Sequence, residues 1–194
     1  IAVLDMLAAG TLNVEPLITQ RFQFEDAPKA YDALTEDKSG LGLLLKYTSP
    51  VESRLEKRVV LRPISIEPKN AVVGFIGAGN YASRILIPAF KKASSQLHTI
   101  VTSGGINGVI HGEKTGFAEA STDIDDLLNN KDINTVAIAT RHNSHAYFVE
   151  KVLASGKNVF VEKPLALTVE EIEKIETVYN QNIQNNQYAR VMVG

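Results

Sequence analysis

The sequence predicts an α/β fold: a doubly wound parallel sheet preceded by a small α+β segment. Three observations lead there. From residue 71 onward, short apolar runs alternate with stretches of helical period. Six such runs occur, and strands that are apolar throughout require helices over both faces of their sheet. Right-handed crossovers then wind the sheet outward in two directions from its first strand.

The composition sets the bounds. The chain has 194 residues, 44% hydrophobic and 22% charged, as ordinary soluble globular proteins have. A net charge of −2 gives no general attraction for nucleic acid or anionic membranes, so neither is expected as a partner. No apolar run reaches the ~20 residues that span a bilayer, and no signal-peptide pattern opens the chain. The absence of cysteine excludes disulfides, thiolate zinc sites and cysteine nucleophiles. A cytoplasmic location is the expectation. The chain opens at Ile1 inside a helical pattern and closes on "ARVMVG", so a piece of a longer polypeptide is expected.

Residues 1–49 carry two helical patterns. "IAVLDMLAAG" ends at Gly10, a helix C-cap. "LNVEPLITQRFQF" is extended, with Pro16 confining it to an edge or loop. "EDAPKAYDALTED" sets Ala27, Ala30, Tyr31 and Leu34 on one helical face, with Pro28 in the first turn. "LGLLLKY" reads as a buried strand. So few elements cannot bury a core, so the segment is expected to dock on the rest of the protein or to self-associate as a homo-oligomer. Residues 50–70 hold three prolines and mixed charge and read as a linker, with a short strand at "RVVLRPI". Beyond it the predicted strands are "AVVGFI", "LHTIVTS", a short piece at Ala120-Ser121, "INTVAIAT", "NVFVEK" and "ARVMV". The predicted helices cover 80–93, 107–117, 123–129, 144–155 and 168–184.

Four clusters of candidate residues fall at the ends of these strands. Gly77-Ala78-Gly79-Asn80-Tyr81-Ala82 fits G-x-G-x-x-G/A directly after the first strand. Gly77 permits the tight turn, Gly79 lets the backbone approach a pyrophosphate, and Ala82 lets helix and strand pack closely. Helix N–H groups then face the anion. A glycine turn without a ligand is the plainer alternative. After the second strand, where an acid would hold the ribose hydroxyls, stand Thr102-Ser103-Gly104-Gly105. Ser103 suits a ribose hydroxyl or a 2′-phosphate, so the cofactor is NAD or NADP, or its binding is weakened. "ATRHNSHA" gathers Thr140, Arg141, His142, Asn143 and His145 at the end of the fourth strand. Two histidines without a third ligand nearby give no metal site. Glu162-Lys163-Pro164 ends the fifth strand, where a charged pair must be solvated, paired or functional. A lysine in that crevice can hydrogen-bond a substrate hydroxyl.

With "GFIGAGNYA", "DDLLNNKDINTVAIAT", His145 and "VLASGKNVFVEKPLALT", residues 71–194 resemble the glucose–fructose oxidoreductase / inositol dehydrogenase (Gfo/Idh/MocA) family. The resemblance implies a Rossmann domain that binds NAD or NADP. Gly77, Gly79, Asn80 and Tyr81 would line the pyrophosphate; Thr140, His145 and Glu162 would line the remaining crevice. From their places at the strand ends, Ser103, His142 and Pro164 join them as cofactor-binding candidates. Lys163 would be the catalytic-site lysine, near nicotinamide and substrate. The family usually has Pro-Asn where this chain has Arg141-His142, and it continues into a second α/β domain carrying most substrate contacts. Residues 1–47, through "LAAGTLNVEPLITQRFQFEDAPKAYDAL" and "GLLLKY", are similar to the C-terminal end of zinc-type medium-chain alcohol dehydrogenases. Gln20 stands where that family often has histidine, and no zinc ligand falls in the piece. The whole resembles part of a bi-domain oxidoreductase: an alcohol-dehydrogenase-like remnant at 1–49, a linker at 50–70 and an NAD(P)-binding domain at 71–194. The expected activity is dehydrogenation of a sugar-like or cyclitol alcohol, absent from the fragment alone. A cofactor-free docking or scaffolding module is the alternative; the missing acid and Arg141-His142 favour it, and Lys163 opposes it.

Overall fold

A computed structural model describes residues 2–36, 40–48, 50, 56–67 and 70–194. The chain divides into two units, Ile1–Leu55 and Glu56–Gly194. Ile1, the end of the second predicted helix and residues 51–55, 68 and 69 of the expected linker lie outside the described residues.

The first unit is built from α1 (Ala2–Ala8), a 3-10 turn over Glu15–Leu17, β1 (Gln20–Gln23), α2 (Ala27–Glu36) and β2 (Leu43–Lys46). Gly10 takes φ +70° after α1, as a glycine C-cap does. β1 and β2 pair in parallel, Gln20 opposite Leu43, so the pieces form one β-α-β turn. β2 corrects the expectation of a buried strand. Its residues alternate between half-buried and exposed, and Leu44 is 45% exposed. Within this unit one strand and one helix can cover only a single face. Ala30 is its one buried apolar side chain among the described residues.

The second unit begins with β3 (Arg58–Val60) and then alternates strictly. β4 (Val72–Ile76) leads into a helix that opens at Asn80, passes through a π-helical turn at Ala82–Leu86 and continues as α3 (Ile87–Lys92). β5 (Gln96–Val101), α4 (Gly105–Thr115), β6 (Glu119–Ser121), α5 (Ile124–Leu128) and β7 (Thr135–Ile138) follow. A 3-10 turn at His142–Ser144 precedes α6 (His145–Ala154), β8 (Asn158–Val161), α7 (Val169–Gln184) and β9 (Val191–Val193). The sheet order is β3-β6-β5-β4-β7-β8-β9, parallel at every pair except β3–β6. This is the doubly wound Rossmann arrangement, with β4 at the centre and the switch in direction between β5 and β7. Seven strands rather than six make the sheet. The extra one, β3, lies in the stretch expected to be a linker, antiparallel to β6 with Arg58 opposite Ser121. Leu61 and Ile66, just after it, pack against the core, so this stretch is part of the second unit.

β4 shows why an unbroken apolar run forms the centre. Val73 and Phe75 face α3 and α4 among Ile87, Leu97, Ile100 and Phe117. Val72 and Ile76 face the opposite layer with Leu127, Val149 and Leu153. Side chains of period two thus fill both layers, each large buried one contributing about 1.5–3 kcal/mol. Gly74 lies under α5, where an added Cβ would meet Leu127 Cδ1 at 2.6 Å.

Among the buried polar side chains of this frame are Lys157 and His98. Lys157 is 7% exposed and donates to Asn130 O (2.7 Å) and Ile133 O (2.8 Å), and burial pushes its pKa down. His98 on β5 is 5% exposed. Its Nδ1 lies 2.9 Å from Thr99 Oγ1, and Asn130 Nδ2 lies 3.4 Å from its Nε2, an arrangement suited to a neutral ring. Burial pushes the His98 pKa down; Glu119 and Asp132 oppose that shift, and Arg58 reinforces it. The unfolded chain therefore takes up a proton that the folded one refuses. The stabilisation from His98 is complete above the unfolded value of about 6.5 and declines as pH falls toward the lower folded value. We predict that the melting temperature drops between about pH 7.5 and about pH 5.5, and that His98→Gln flattens the drop. Equal slopes in calorimetric scans of the two proteins would remove His98 as the cause.

Candidate functional site

Three chain reversals meet at the carboxyl ends of β4, β7 and β8, where open α/β sheets bind ligands. At the first, the Gly77 N–H donates to Val101 O at the end of β5 (2.9 Å), and φ is +98°. A Cβ on Gly77 would lie 2.6 Å from Ala139 O, at the end of β7. The turn is therefore wedged between two strand ends. Gly79, two residues on, differs: nothing lies within 4 Å of an added Cβ. The helix opens at Asn80, with the Ser83 N–H donating to Gly79 O at 2.9 Å. Its first-turn N–H groups have no carbonyl within the helix to pair with. Ala82 is buried beneath it, consistent with close helix–strand packing.

At the second reversal, the Ala139 N–H donates to Ile76 O (2.9 Å) and Thr140 follows. The Thr140 hydroxyl lies 2.7 Å from Ser144 Oγ, and the Ser144 hydroxyl also reaches Arg141 O at 2.8 Å. The short turn His142–Ser144 then feeds α6. His145, its first residue, is 0% exposed. Its Nδ1 lies 2.8 Å from Pro164 O, and its Nε2 lies 3.1 Å from Thr140 O. At the third reversal, the Glu162 N–H donates to Ile138 O (3.0 Å), and the Lys163–Pro164 bond is cis. Lys163 is exposed and forms no hydrogen bond or ion pair among the described residues.

A cleft of about 410 Å³ lies between these reversals. Gly79, Asn80, Tyr81 and Ala82 form its first wall. Ala139, Thr140, His142 and His145 form the second, and Glu162 with Lys163 the third. Most of the residues singled out in the sequence thus converge. Gly77 shapes the turn without lining the cleft, and Pro164 contributes the carbonyl that His145 holds. Ser103 sits two residues past β5, exposed and outside the lining. Ala139 escaped the sequence reading; its one signal was a small residue directly after an apolar strand. The His142 and His145 rings meet edge-on at 5.7 Å. Each His145 nitrogen faces a backbone carbonyl, to which only a protonated nitrogen can donate, and no group of three metal-ligating side chains occurs among the described residues. No helix among the described residues is long and apolar enough to cross a membrane.

The chemistry of this cleft suits an anionic, extended ligand: an open backbone stretch at a helix start, a threonine hydroxyl and a free ammonium. A dinucleotide fits these residues. The family model GFO_IDH_MocA, an oxidoreductase family with an NAD-binding Rossmann fold, matches residues 71–187. An oxidoreductase of Formosa agariphila is 34% identical over 113 residues, which is 57% of this chain and 35% of that protein. The 1,5-anhydro-D-fructose reductase of Ensifer adhaerens is 24% identical over 102 residues, 53% of this chain and 31% of that one. The apo scyllo-inositol dehydrogenase of Lactobacillus casei superposes with a TM-score of 0.55 at 26% identity, covering 65% of this chain and 37% of its own. The chain thus spans about a third of the length of these curated relatives.

The two glycines have separable roles. Gly77→Val is expected to destabilise by about 2 kcal/mol or more, from a left-handed φ and a clash with backbone. Gly79→Val should cost about 1 kcal/mol or less, the loss of a tolerated N-cap residue, since its side chain enters open space. Chemical denaturation of both variants checks this, and comparable losses would refute the distinction.

Proposed function

Because the chain belongs to the GFO_IDH_MocA oxidoreductase family, we propose that residues 71–194 are the dinucleotide-binding domain of an NAD(P)-dependent oxidoreductase acting on a sugar-like or cyclitol alcohol. The observation that carries this reading is Gly79: its backbone is open to the cleft at a helix start, with Lys163 unpaired on the opposite wall. The Gly79, Asn80 and Tyr81 backbone would receive the pyrophosphate, where N–H groups and the helix dipole favour an anion. Ser103 would meet the ribose or its 2′-phosphate, so either NAD or NADP is accommodated. Thr140, His142 and Glu162 would flank the remainder, with His145 and Pro164 behind them.

When bound, the nicotinamide supplies hydride transfer. Lys163 is the proposed catalytic residue. Its ammonium would donate a hydrogen bond to the reacting oxygen of the alcohol and offset negative charge developing there. Tyr81 and the Thr140 wall would exclude water from one side. The second α/β domain that the family resemblance implies would bring the substrate contacts, so residues 1–194 alone are expected to bind dinucleotide without turnover.

Residues 1–47, similar to the end of a zinc-type alcohol dehydrogenase, are proposed to dock or self-associate. Exposed Leu4, Tyr31 and Leu34 support that reading. A cofactor-free scaffold remains the competing account of residues 71–194, favoured by the serine in place of an acid after β5.

Calorimetric titration with NADH and NADPH separates the two. Binding of at least one by the native chain, weakened more than about tenfold (about 1.4 kcal/mol) by Gly79→Val, is the expected result. Absence of heat with both, or equal affinity in the variant, would favour the scaffold.

A further inference from the structure

β7 and β8 lie side by side and are tied together at both ends by one buried nitrogen-bearing side chain each. At the amino-terminal edge, Lys157 enters β8 and bridges Asn130 O and Ile133 O, both on the approach to β7. At the carboxyl-terminal edge, His145 bridges Thr140 O, after β7, and Pro164 O, after β8. Carbonyl oxygens only accept, so each ring nitrogen must carry a proton to hold its partner. Nδ1–H holds the Pro164 loop, Nε2–H holds the Thr140 loop, and a doubly protonated ring holds both. In every case both nitrogens face backbone carbonyls.

We propose that His145 is a positioning residue: it sets the distance between the Thr140 wall and the Lys163 wall of the cleft without bonding the cofactor itself. The affinity consequence rests on the dinucleotide reading above. Thr140 and Lys163 belong to separate loops, and Lys163 immediately precedes the residue whose carbonyl His145 holds. Without that bond the two loops would settle independently, and a ligand touching both would have to order them on binding. Lys157 is the internal control. It makes the same kind of bridge between the same two strands, at the edge away from the cleft.

The test uses the full chain with His145→Leu, His145→Gln and Lys157→Met. Hydrogen exchange is followed by mass spectrometry without ligand, and NADPH and NADH affinities by calorimetry. His145→Leu should speed exchange in residues 139–144 and 162–167 together and weaken dinucleotide binding about tenfold or more. His145→Gln, which keeps an N–H donor for one carbonyl, should recover part of both effects. Lys157→Met should speed exchange around residues 130–134 and lower the melting temperature while affinity stays within about twofold.

Unchanged exchange in both loops, or an affinity loss in Lys157→Met as large as in His145→Leu, would overturn the proposal. If the native chain binds neither dinucleotide, the functional reading fails, and the exchange pattern alone decides the positioning role. If neither histidine variant folds, 15N-histidine spectra of the native chain decide. A solvent-shielded His145 ring N–H that persists on NADPH addition supports the proposal; a ring proton exchanging freely with solvent refutes it.

Discussion

The backbone at Gly77 is the constraint from which the site follows. Its N–H is held by the last carbonyl of β5, and the place of its missing Cβ is filled by the carbonyl of Ala139 after β7. Strands on both sides of β4 therefore approach this one residue closely. Any side chain here would push the end of β7 outward, and the left-handed φ would be strained as well. Once the turn is fixed, the next residues can go only upward into the helix that begins at Asn80. The start of that helix, from Gly79 to Ala82, then lines the cleft. Site geometry is thus a consequence of strand packing at the switch point.

The same packing explains why polar groups collect where they do. Along β4, β7 and β8 apolar side chains fill both layers, and backbone polar groups are satisfied by the ladder. The ladder ends at the strand ends, and carbonyls there need other donors. At one edge Lys157 supplies them, at the other His145. Burying a lysine is costly, which is why its pKa falls, but the two carbonyls it meets would otherwise be unpaired. Polar chemistry at the carboxyl edge therefore has two layers. Buried groups such as His145 satisfy the backbone, and exposed ones such as Lys163 face the cleft.

The parallel sheet was legible because its signal is continuous: five residues buried on both sides in β4 cannot be mistaken for an amphipathic surface strand. Site residues at strand ends were legible for a related reason, since charge directly after "NVFV" has to be explained. β3 was read as a short strand at "RVVLRPI", but its membership of the sheet was not. Three residues in a charged stretch carry little periodicity, and what makes them a strand is pairing with β6, sixty residues away in sequence. β2 failed in the opposite direction. "LGLLLKY" has the composition of a buried strand, but burial depends on how many layers surround it, and a single β-α-β turn supplies one. His145 was placed in the cleft from its position and from the family resemblance; its contacts with two carbonyls depend on where Pro164 lies, which no local pattern encodes.

Gly79 presents the sharpest contrast with Gly77. Glycine at a helix start costs backbone entropy, and serine, threonine, aspartate or asparagine would cap the helix better. Folding gives no steric reason for its presence, because a Cβ there meets nothing within 4 Å. An N-cap glycine is tolerable, so this alone would be a weak argument. The same position, however, lines a cleft whose other two walls present Thr140 and a Lys163 with no partner among the described residues. A side chain at residue 79 would occupy that space and keep an anion from the first-turn N–H groups. The space left open beside Gly79 is what the proposed dinucleotide site requires, a close approach of a ligand to the backbone that packing of the chain against itself does not impose.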